Sequence, residues 1–282
     1  MTEGWPEAPD PLPSPVVDNH CHMDHRIRGG LLIPIDEALE RAAAVGVTRT
    51  VQVGCDLDSS RWAIEAATVH PSVVAAVALH PNDAARMTDS ELDAALGEID
   101  RLAADPSVRA VGETGLDYFR TGVDGRPKQH RSFREHIAIA KRHDRTLVIH
   151  DRDAHDDVLR TIDDVGAPDR WVMHCFSGDA AFAQACVERG AHLSFAGTVT
   201  FKNADNLREA LAVTPLERIL VETDAPFLTP TPHRGKPNAS FLIPLTVRFM
   251  ADVIGTDLTT LCQAIEANTD RAFGGSWPQF GQ

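Results

Sequence analysis

The sequence contains few cysteines, and their arrangement argues against two classes of protein. Its five cysteines are an odd number, are scattered along the chain and include no CxxC pair. A disulfide framework needs paired cysteines, and a thiolate zinc site needs closely spaced ones. We therefore expect reduced thiols in a cytoplasmic protein.

Positive charge is also scarce. Lys and Arg number 27 against 41 Asp and Glu, which gives a formal net charge of −14 at pH 7. Such a chain repels polyanions and membrane surfaces as a whole, so a nucleic-acid substrate requires a local basic patch. No uncharged apolar run is long enough to span a bilayer, and the acidic, proline-rich start does not resemble a signal peptide. We expect no membrane association, and no obligate protein partner is evident.

Short apolar runs alternate with segments of helical periodicity, and this alternation predicts the fold. The predicted strands are Val16–His22, Thr50–Gly54, Val73–His80, Val108–Glu113, Thr146–His150, Trp171–His174, His192–Phe195 and Ile219–Asp224. The predicted helices are Ile35–Val45, Ser60–Val69, Asp89–Ala104, Gln129–Arg142, Asp156–Val165, Ala180–Arg189 and Ala204–Ala212. Apolar strands that are each followed by a helix indicate a parallel sheet, and eight such units predict an α/β fold of the (β/α)₈ TIM-barrel type.

An open doubly wound sheet is the rival topology, and it would normally carry a glycine-rich phosphate loop after its first strand. The chain has Asp18–His22 there instead. No linker-like or low-complexity stretch divides the sequence. We expect a single TIM-barrel domain over residues 16–273, a flexible N-terminal extension over residues 1–15 and a C-terminal tail over residues 274–282.

Potential metal ligands lie at the ends of most predicted strands. The carboxyl ends of barrel strands meet at one mouth, so residues distant in sequence surround a common point there. His20 and His22 form an HxH unit whose side chains point the same way about 6.6 Å apart, so they can bind one cation together. The candidate ligands are His20, His22, Glu113, His150, His174 and Asp224.

The chemistry of this set limits the metal. Glu113 stands between small residues and could bridge two cations, which need a shared anionic ligand when they lie about 3.5–4 Å apart. Imidazole and carboxylate ligands without thiolate suit Zn²⁺, Mn²⁺, Co²⁺ or Ni²⁺, whereas Mg²⁺ prefers an oxygen-rich shell. The sequence does not choose among these ions.

The last predicted strand ends in two candidate catalytic carboxylates. Asp224 lies nearest the mouth and could bind a metal and accept a proton from water. Glu222 lies deeper, where it either orients a ligand or forms a salt bridge.

Substrate contacts are predicted from the loops at the mouth. Lys202, Arg234 and Lys236 follow the seventh and eighth strands, where barrels often bind phosphate. Arg152 is a further candidate, although an Arg–Asp pair that locks the loop explains it equally well. His80, at the end of the third strand, completes the candidate substrate-binding residues.

These motifs together resemble the TatD-related deoxyribonuclease family of metal-dependent hydrolases. The matching segments are Asp18–His22 with Asp24, Leu79–Pro81, Gly112–Tyr118, His150 with Arg152–Ala154, His174–Gly178, and Glu222–Pro226 with Arg234–Lys236 and Asn238. The resemblance implies two divalent ions per chain, one held by His20 and His22, the other by His150 and His174, with Glu113 between them and Asp224 completing the centre. It also implies a DNA substrate. Arg120–Pro127 and the first fifteen residues match no family motif, which leaves the substrate range open.

The sequence thus favours metal-dependent hydrolysis of DNA phosphodiester bonds, with the substrate inferred mainly from the family. Hydrolysis of an acyl bond, such as an amide or an aminoacyl ester, is a second hypothesis, and cleavage of DNA separates the two. A non-catalytic barrel stabilised by its metals is a third. An open coordination position argues against it, because structural zinc sites are closed by four protein ligands.

Overall fold

The fold positions eight strand ends around one opening. The computed structural model describes residues 4–25, 33–275 and 277. Within them the strands are β1 (Val16–Cys21), β2 (Val47–Val53), β3 (Val73–Val77), β4 (Val108–Asp117), β5 (Thr146–Arg152), β6 (Trp171–Met173), β7 (His192–Phe195) and β8 (Ile219–Val221). All neighbours pair in parallel and in chain order. The predicted (β/α)₈ barrel is confirmed.

The barrel closes where β1 meets the segment after β8. Cys21 and Ala225 form a parallel bridge, and the backbone N–H groups of Asp224 and His22 donate to the carbonyls of His20 (2.9 Å) and Ala225 (2.8 Å). The side-chain amide of Asn19 also donates to the carbonyl of Val221 at 2.6 Å. This closure brings the HxH unit beside Asp224.

Helices pack around the barrel. In the described residues they are α1 (Ile35–Ala44), α2 (Leu57–Val69), α3 (Pro81–Ala84), α4 (Asp89–Ala103), α5 (Arg126–Arg142), α6 (His155–Val165), α7 (Ala180–Glu188), α8 (Asp205–Val213), α9 (Ile243–Ile254) and α10 (Leu258–Ala272). Helix α2 begins at Leu57 rather than at Ser60, because the Asp56 carboxylate caps it by accepting from the N–H of Ser59 at 2.8 Å. Helix α5 begins at Arg126 rather than at Gln129, with a proline in its first turn.

The barrel interior is apolar and closed at one end. It is filled by aliphatic side chains, namely Val17, Val51, Val53, Val74, Ala76, Ala110, Val148, Val172 and Leu220. Ala272, Phe273 and Trp277 belong to the same buried cluster. The carbonyl of Ala272 accepts from Thr146, the first residue of β5, so the end of α10 covers the amino-terminal ends of the strands. The opposite end carries the site.

The chain outside the barrel is partly described. Residues 4–15 contain no helix or strand, but Leu12 is buried and its N–H donates to the carbonyl of Val45 at 3.0 Å. Residues 1–3, 276 and 278–282 lie outside the described residues. The division into an extension, a barrel and a tail stays a prediction. In the described ranges no helix has the length and apolar character needed to cross a membrane.

Candidate metal centre

Glu113 lies at the middle of the mouth, and its two carboxylate oxygens face different histidines. Strand β4 continues past the predicted end at Glu113 to Asp117, and Glu113 lies at the irregularity in its pairing with β5, between Val111 and Thr114. Its side chain is only 7% exposed. Glycines on either side allow the close packing: a Cβ on Gly112 would collide with Val148, and one on Gly115 with the carbonyl of His150.

The first oxygen, Oε1, faces the HxH unit. It lies 3.5 Å from Nε2 of His22 and 3.8 Å from Nε2 of His20, and these two nitrogens are 3.3 Å apart. Asp224 Oδ1 approaches the same nitrogens, at 3.4 Å from His22 and 3.9 Å from His20. His20, His22 and Asp224 therefore form one compact group of possible ligands.

The second oxygen, Oε2, faces the histidines of β5 and β6. It lies 2.8 Å from Nε2 of His174 and 3.2 Å from Nδ1 of His150. Glu113, His150 and His174 form a second possible ligand group. The two groups meet at Glu113 and where the rings of His20 and His174 stack, with centroids 3.8 Å apart.

Hydrogen bonds fix the orientation of these imidazoles. His22 Nδ1 donates to the carbonyl of Val53 at 2.9 Å, and His174 Nδ1 lies 3.2 Å from Oε1 of the buried Glu222. Each bond occupies Nδ1, so that Nε2 is the nitrogen directed at the centre. Glu222 therefore orients a histidine, and its second oxygen has no hydrogen-bond partner among the described residues.

Asp18, two residues before His20 on β1, links this strand to the segment after β8 by hydrogen bonds. Its buried carboxylate accepts from the N–H and hydroxyl of Thr223, at 2.9 and 2.6 Å, and from the hydroxyl of Ser240 at 2.7 Å. Burial raises the pKa of Asp18 to about 6, although these hydrogen bonds act in the opposite direction. The residue ties β1 to the segment that carries Asp224.

The electrostatics keep the central carboxylates ionised. Burial raises the pKa of Glu113, but the imidazoles of His174, His150 and His20 outweigh it and hold that pKa well below its usual range. The pKa of Asp224 is lowered in the same way, against the effect of burial, mainly by His22. Both side chains are therefore anionic near neutral pH.

Two residues of this site were not among the site residues predicted from the sequence. Cys55 follows β2, and its thiol donates to Glu113 Oε1 at 3.2 Å, while burial raises its pKa to about 12. Asp117 Oδ2 lies 3.3 Å from Nε2 of His150 and accepts from the side-chain amide of Asn82 at 2.9 Å. Cys55 directly follows the predicted second strand, so the strand-end rule could have included it. Asp117 lies four residues beyond the predicted end of the fourth strand, and only the longer observed β4 places it at a strand end.

The predicted substrate-binding residues occupy three places. His80 lies inside the centre, with Nε2 4.0 Å from Glu113 Oε2, and burial lowers its pKa to about 4. Arg152 stacks on Phe119 at 3.8 Å from the ring centroid. In the described ranges no carboxylate lies within ion-pair distance of Arg152, so the alternative of a loop-locking Arg–Asp pair is wrong.

The remaining candidates lie on the side of β7 and β8. Lys202 and Arg234 line one cleft of about 520 Å³, together with Cys175 and Ser177 beside the metal centre. Arg234 stacks on Phe201, with its guanidinium carbon 3.5 Å from the ring centroid. Lys236 is exposed and does not line this cleft.

The donor set fits divalent cations. Because His22 Nδ1 donates to Val53, Nε2 is the nitrogen of His22 that faces Nε2 of His20, and the buried Nδ1 of His20 has no hydrogen-bond partner in the described part of the chain. Facing imidazole nitrogens beside anionic carboxylates are an arrangement that a bound cation stabilises.

Comparison with known proteins gives the family. The family model described as TatD related DNase matches residues 17–274, which is nearly the whole chain. The chain belongs to the TatD-related DNase family. It is 45% identical over 266 residues to a Mycobacterium tuberculosis protein named uncharacterized metal-dependent hydrolase TatD, covering 93% of this chain and 99% of the relative.

More distant TatD relatives agree. The uncharacterized metal-dependent hydrolase YcfH of Escherichia coli is 35% identical over 259 residues, covering 92% of this chain and 95% of the relative. The crystal structure of YjjV, a TatD homolog from Escherichia coli, superposes with a TM-score of 0.84 at 27% identity and covers 93% of this chain and 98% of that one. The predicted class, a metal-dependent hydrolase of this family, is confirmed.

Proposed function

We propose that this TatD protein hydrolyses DNA phosphodiester bonds with two divalent ions per chain. One observation carries the proposal: Oε1 of Glu113 faces His20 and His22, whereas Oε2 faces His150 and His174. A carboxylate that presents each oxygen to a separate pair of imidazoles has the arrangement of a bridge between two ions. The family's description as DNases supports the choice of substrate.

The protein's own residues have distinct roles in this proposal. His20, His22 and Asp224 would hold one ion, His150 and His174 the other, and Glu113 both. When bound, such ions activate water and stabilise the charge that develops on phosphoryl oxygens. Glu222 holds His174 in the tautomer that binds metal, and Asp117 holds His150 from the opposite side to Glu113.

Asp224 is the proposed proton acceptor. It is anionic, it lies at the rim of the group, and its side chain is 16% exposed whereas that of His20 is fully buried. Its backbone has a φ of 53°, a left-handed value that is costly for a residue other than glycine and is held by the hydrogen bond from its N–H to His20. The carboxylate is thus fixed where it can take the proton of an attacking water.

Cationic side chains at the mouth supply the phosphate contacts. Lys202 and Arg234 line the cleft beside β7 and β8, and Arg152 lies at the end of β5. We assign phosphate binding to these three residues, to Lys236, and to the Nε2–H of the neutral His80. They form the local basic patch that a protein with a net charge of −14 needs to bind a polyanion.

The test is hydrolysis by protein of defined metal content. The protein is stripped of metal and then loaded separately with Mg²⁺, Mn²⁺, Zn²⁺, Co²⁺ or Ni²⁺. Each form is assayed on labelled single- and double-stranded DNA and on an aminoacyl ester, with Glu113→Ala purified in parallel to exclude a contaminating nuclease. We expect metal-dependent DNA cleavage that is absent in Glu113→Ala. Turnover of the ester without cleavage of DNA would overturn the proposal in favour of acyl hydrolysis.

A further inference from the structure

Phe119 is an exposed aromatic ring at the edge of the metal centre. It follows β4 by two residues, and it is 62% exposed although Arg152 covers part of it, with the guanidinium carbon 3.8 Å from the ring centroid. Asp117 and Arg152 are register partners at the ends of β4 and β5, and His150 precedes Arg152 by two residues. The ring therefore lies beside the end of β5, two residues along the chain from Asp117, the hydrogen-bond partner of His150, with much of its surface in water.

The backbone on both sides of Phe119 is anchored. Before it, the Tyr118 N–H donates to the carbonyl of Arg152 at 2.8 Å, and the Tyr118 hydroxyl donates to Asp157 at 2.5 Å. After it, the N–H of Arg120 donates to Asp117 at 2.8 Å, and the buried Thr121 bonds to Asn82 at 2.8 Å. An exposed side chain between three anchored residues loses little further freedom on binding.

A guanidinium placed over an aromatic ring provides two kinds of contact for a nucleic acid. A base can stack on the ring, and the adjacent guanidinium can bind the backbone phosphate. The same combination of Arg and Phe occurs across the mouth, where Arg234 lies on Phe201. There Phe201 lines a cleft, whereas Phe119 projects into water.

We propose that Phe119 is the stacking surface for a nucleobase of the strand being hydrolysed, with Arg152 positioned for the phosphate next to that base. The proposal rests on the proposed nuclease function. It explains why a large apolar side chain is exposed on a rigid loop where it covers no core. The proposal also restricts the substrate, because a base that stacks on Phe119 cannot at the same time be stacked and paired within a duplex. The nucleotide at this position is therefore unpaired.

The experiment separates the base from the phosphate. The metal-loaded enzyme is assayed on a single-stranded oligonucleotide and on an oligomer of equal length in which the nucleotides lack bases, so that both carry the same charge. The variants are Phe119→Ala and Phe119→Trp, with Val123→Ala as the matched control, because Val123 is an exposed apolar residue of the same loop. Thermal unfolding verifies that the variants are folded.

We expect Phe119→Ala to raise KM for the oligonucleotide by roughly 5- to 150-fold, the loss of one base–aromatic contact, with little change in kcat. The variant should thereby lose the preference for the oligomer that carries bases. Phe119→Trp should retain it, and Val123→Ala should behave as the wild type. Equal KM values for both oligomers in the wild type, or an unchanged KM in Phe119→Ala, would overturn the proposal.

Binding of a non-hydrolysable phosphorothioate oligonucleotide distinguishes failure of this inference from failure of the proposed function. If the oligonucleotide binds in a Phe119-dependent way but no DNA is cleaved, the nuclease function is wrong and the stacking surface stands. If DNA is cleaved and both KM and binding are independent of Phe119, the stacking surface is wrong and the nuclease function stands.

Discussion

Glu222 Oε1 lies 3.2 Å from Nδ1 of His174 and accepts the backbone N–H of Cys175 at 2.9 Å. The pair is buried, so the carboxylate keeps a proton on Nδ1 of His174. The Nε2 that remains faces Glu113 at 2.8 Å. Glu222 thus orients His174, a candidate metal ligand, without itself contacting a reacting atom.

The first prediction concerns this carboxylate. Glu222→Gln keeps the side-chain shape but removes the charge that makes His174 a better donor, so the affinity for divalent metal should fall by about 10- to 100-fold. Competition against a chelating dye measures that affinity. Activity should recover when the metal concentration is raised accordingly. An affinity equal to that of the wild type would reduce Glu222 to a packing role.

Asp224→Asn tests the proposed proton acceptor. The amide retains one oxygen for metal but cannot take up a proton, so kcat should fall by roughly 10²–10⁴ while DNA binding persists. Steady-state kinetics at saturating metal provide the measurement. Recovery of most of the rate with excess Mn²⁺ would show that Asp224 acts only as a ligand.

Lys202 and Arg234 should determine part of the salt dependence. Both line the cleft beside β7 and β8, so alanine at each position should raise KM for DNA and reduce the log–log slope of affinity against salt by about one unit. Lys236→Ala should have a smaller effect because its side chain lies outside this cleft. Arg134→Ala, which removes a charge from α5 where Arg134 pairs with Asp164, is the control for net charge. Unchanged slopes for Lys202 and Arg234 would place the DNA path elsewhere.

Most of the fold could be predicted from sequence because apolar, β-branched-rich runs alternate with segments of helical periodicity. β7 has the predicted bounds, and β1 ends at Cys21, one residue before the predicted end. Helices α3, α9 and α10 were not predicted. Helix α3 is a single turn, and α9 and α10 follow each other without an intervening strand, so the strand–helix alternation does not indicate them.

The site residues could be predicted where a possible ligand stands at the end of a predicted strand. The candidate metal ligands all lie at the mouth, since parallel strands bring their carboxyl ends together. Which nitrogen of each histidine faces the centre depends on contacts between distant residues, such as Val53 with His22. The packing of Phe119 against Arg152 likewise depends on the register of β4 and β5, which the sequence pattern does not specify.

His136 should make the stability of the fold sensitive to acid. Its Nε2 accepts from the N–H of Leu79 at 3.0 Å, its Nδ1 lies 2.7 Å from the carbonyl of Ser132, and burial lowers its pKa to about 4. The unfolded chain, with a histidine pKa of about 6.5, binds the proton first as the pH falls. The free energy of unfolding should therefore decrease between pH 6.5 and pH 4, by up to about 3 kcal/mol from this residue.

His136→Gln removes this titration. Urea denaturation at pH 7 and at pH 5 gives the decrease in unfolding free energy for both proteins, and the decrease should be smaller in the variant whatever its stability at pH 7. Equal decreases in the two proteins would mean that His136 does not contribute to acid sensitivity.

The central claim is that Glu113 joins two ions, and electron paramagnetic resonance of the Mn²⁺-loaded protein tests it most directly. Two Mn²⁺ ions that share a carboxylate lie roughly 3.5–4 Å apart and should give the signal of an exchange-coupled pair. The control is His20→Ala with His22→Ala, which should bind about one ion fewer per chain and give the signal of isolated Mn²⁺. A wild-type protein that shows only isolated Mn²⁺ when fully loaded, or that has the same metal content as the control, would contradict the account.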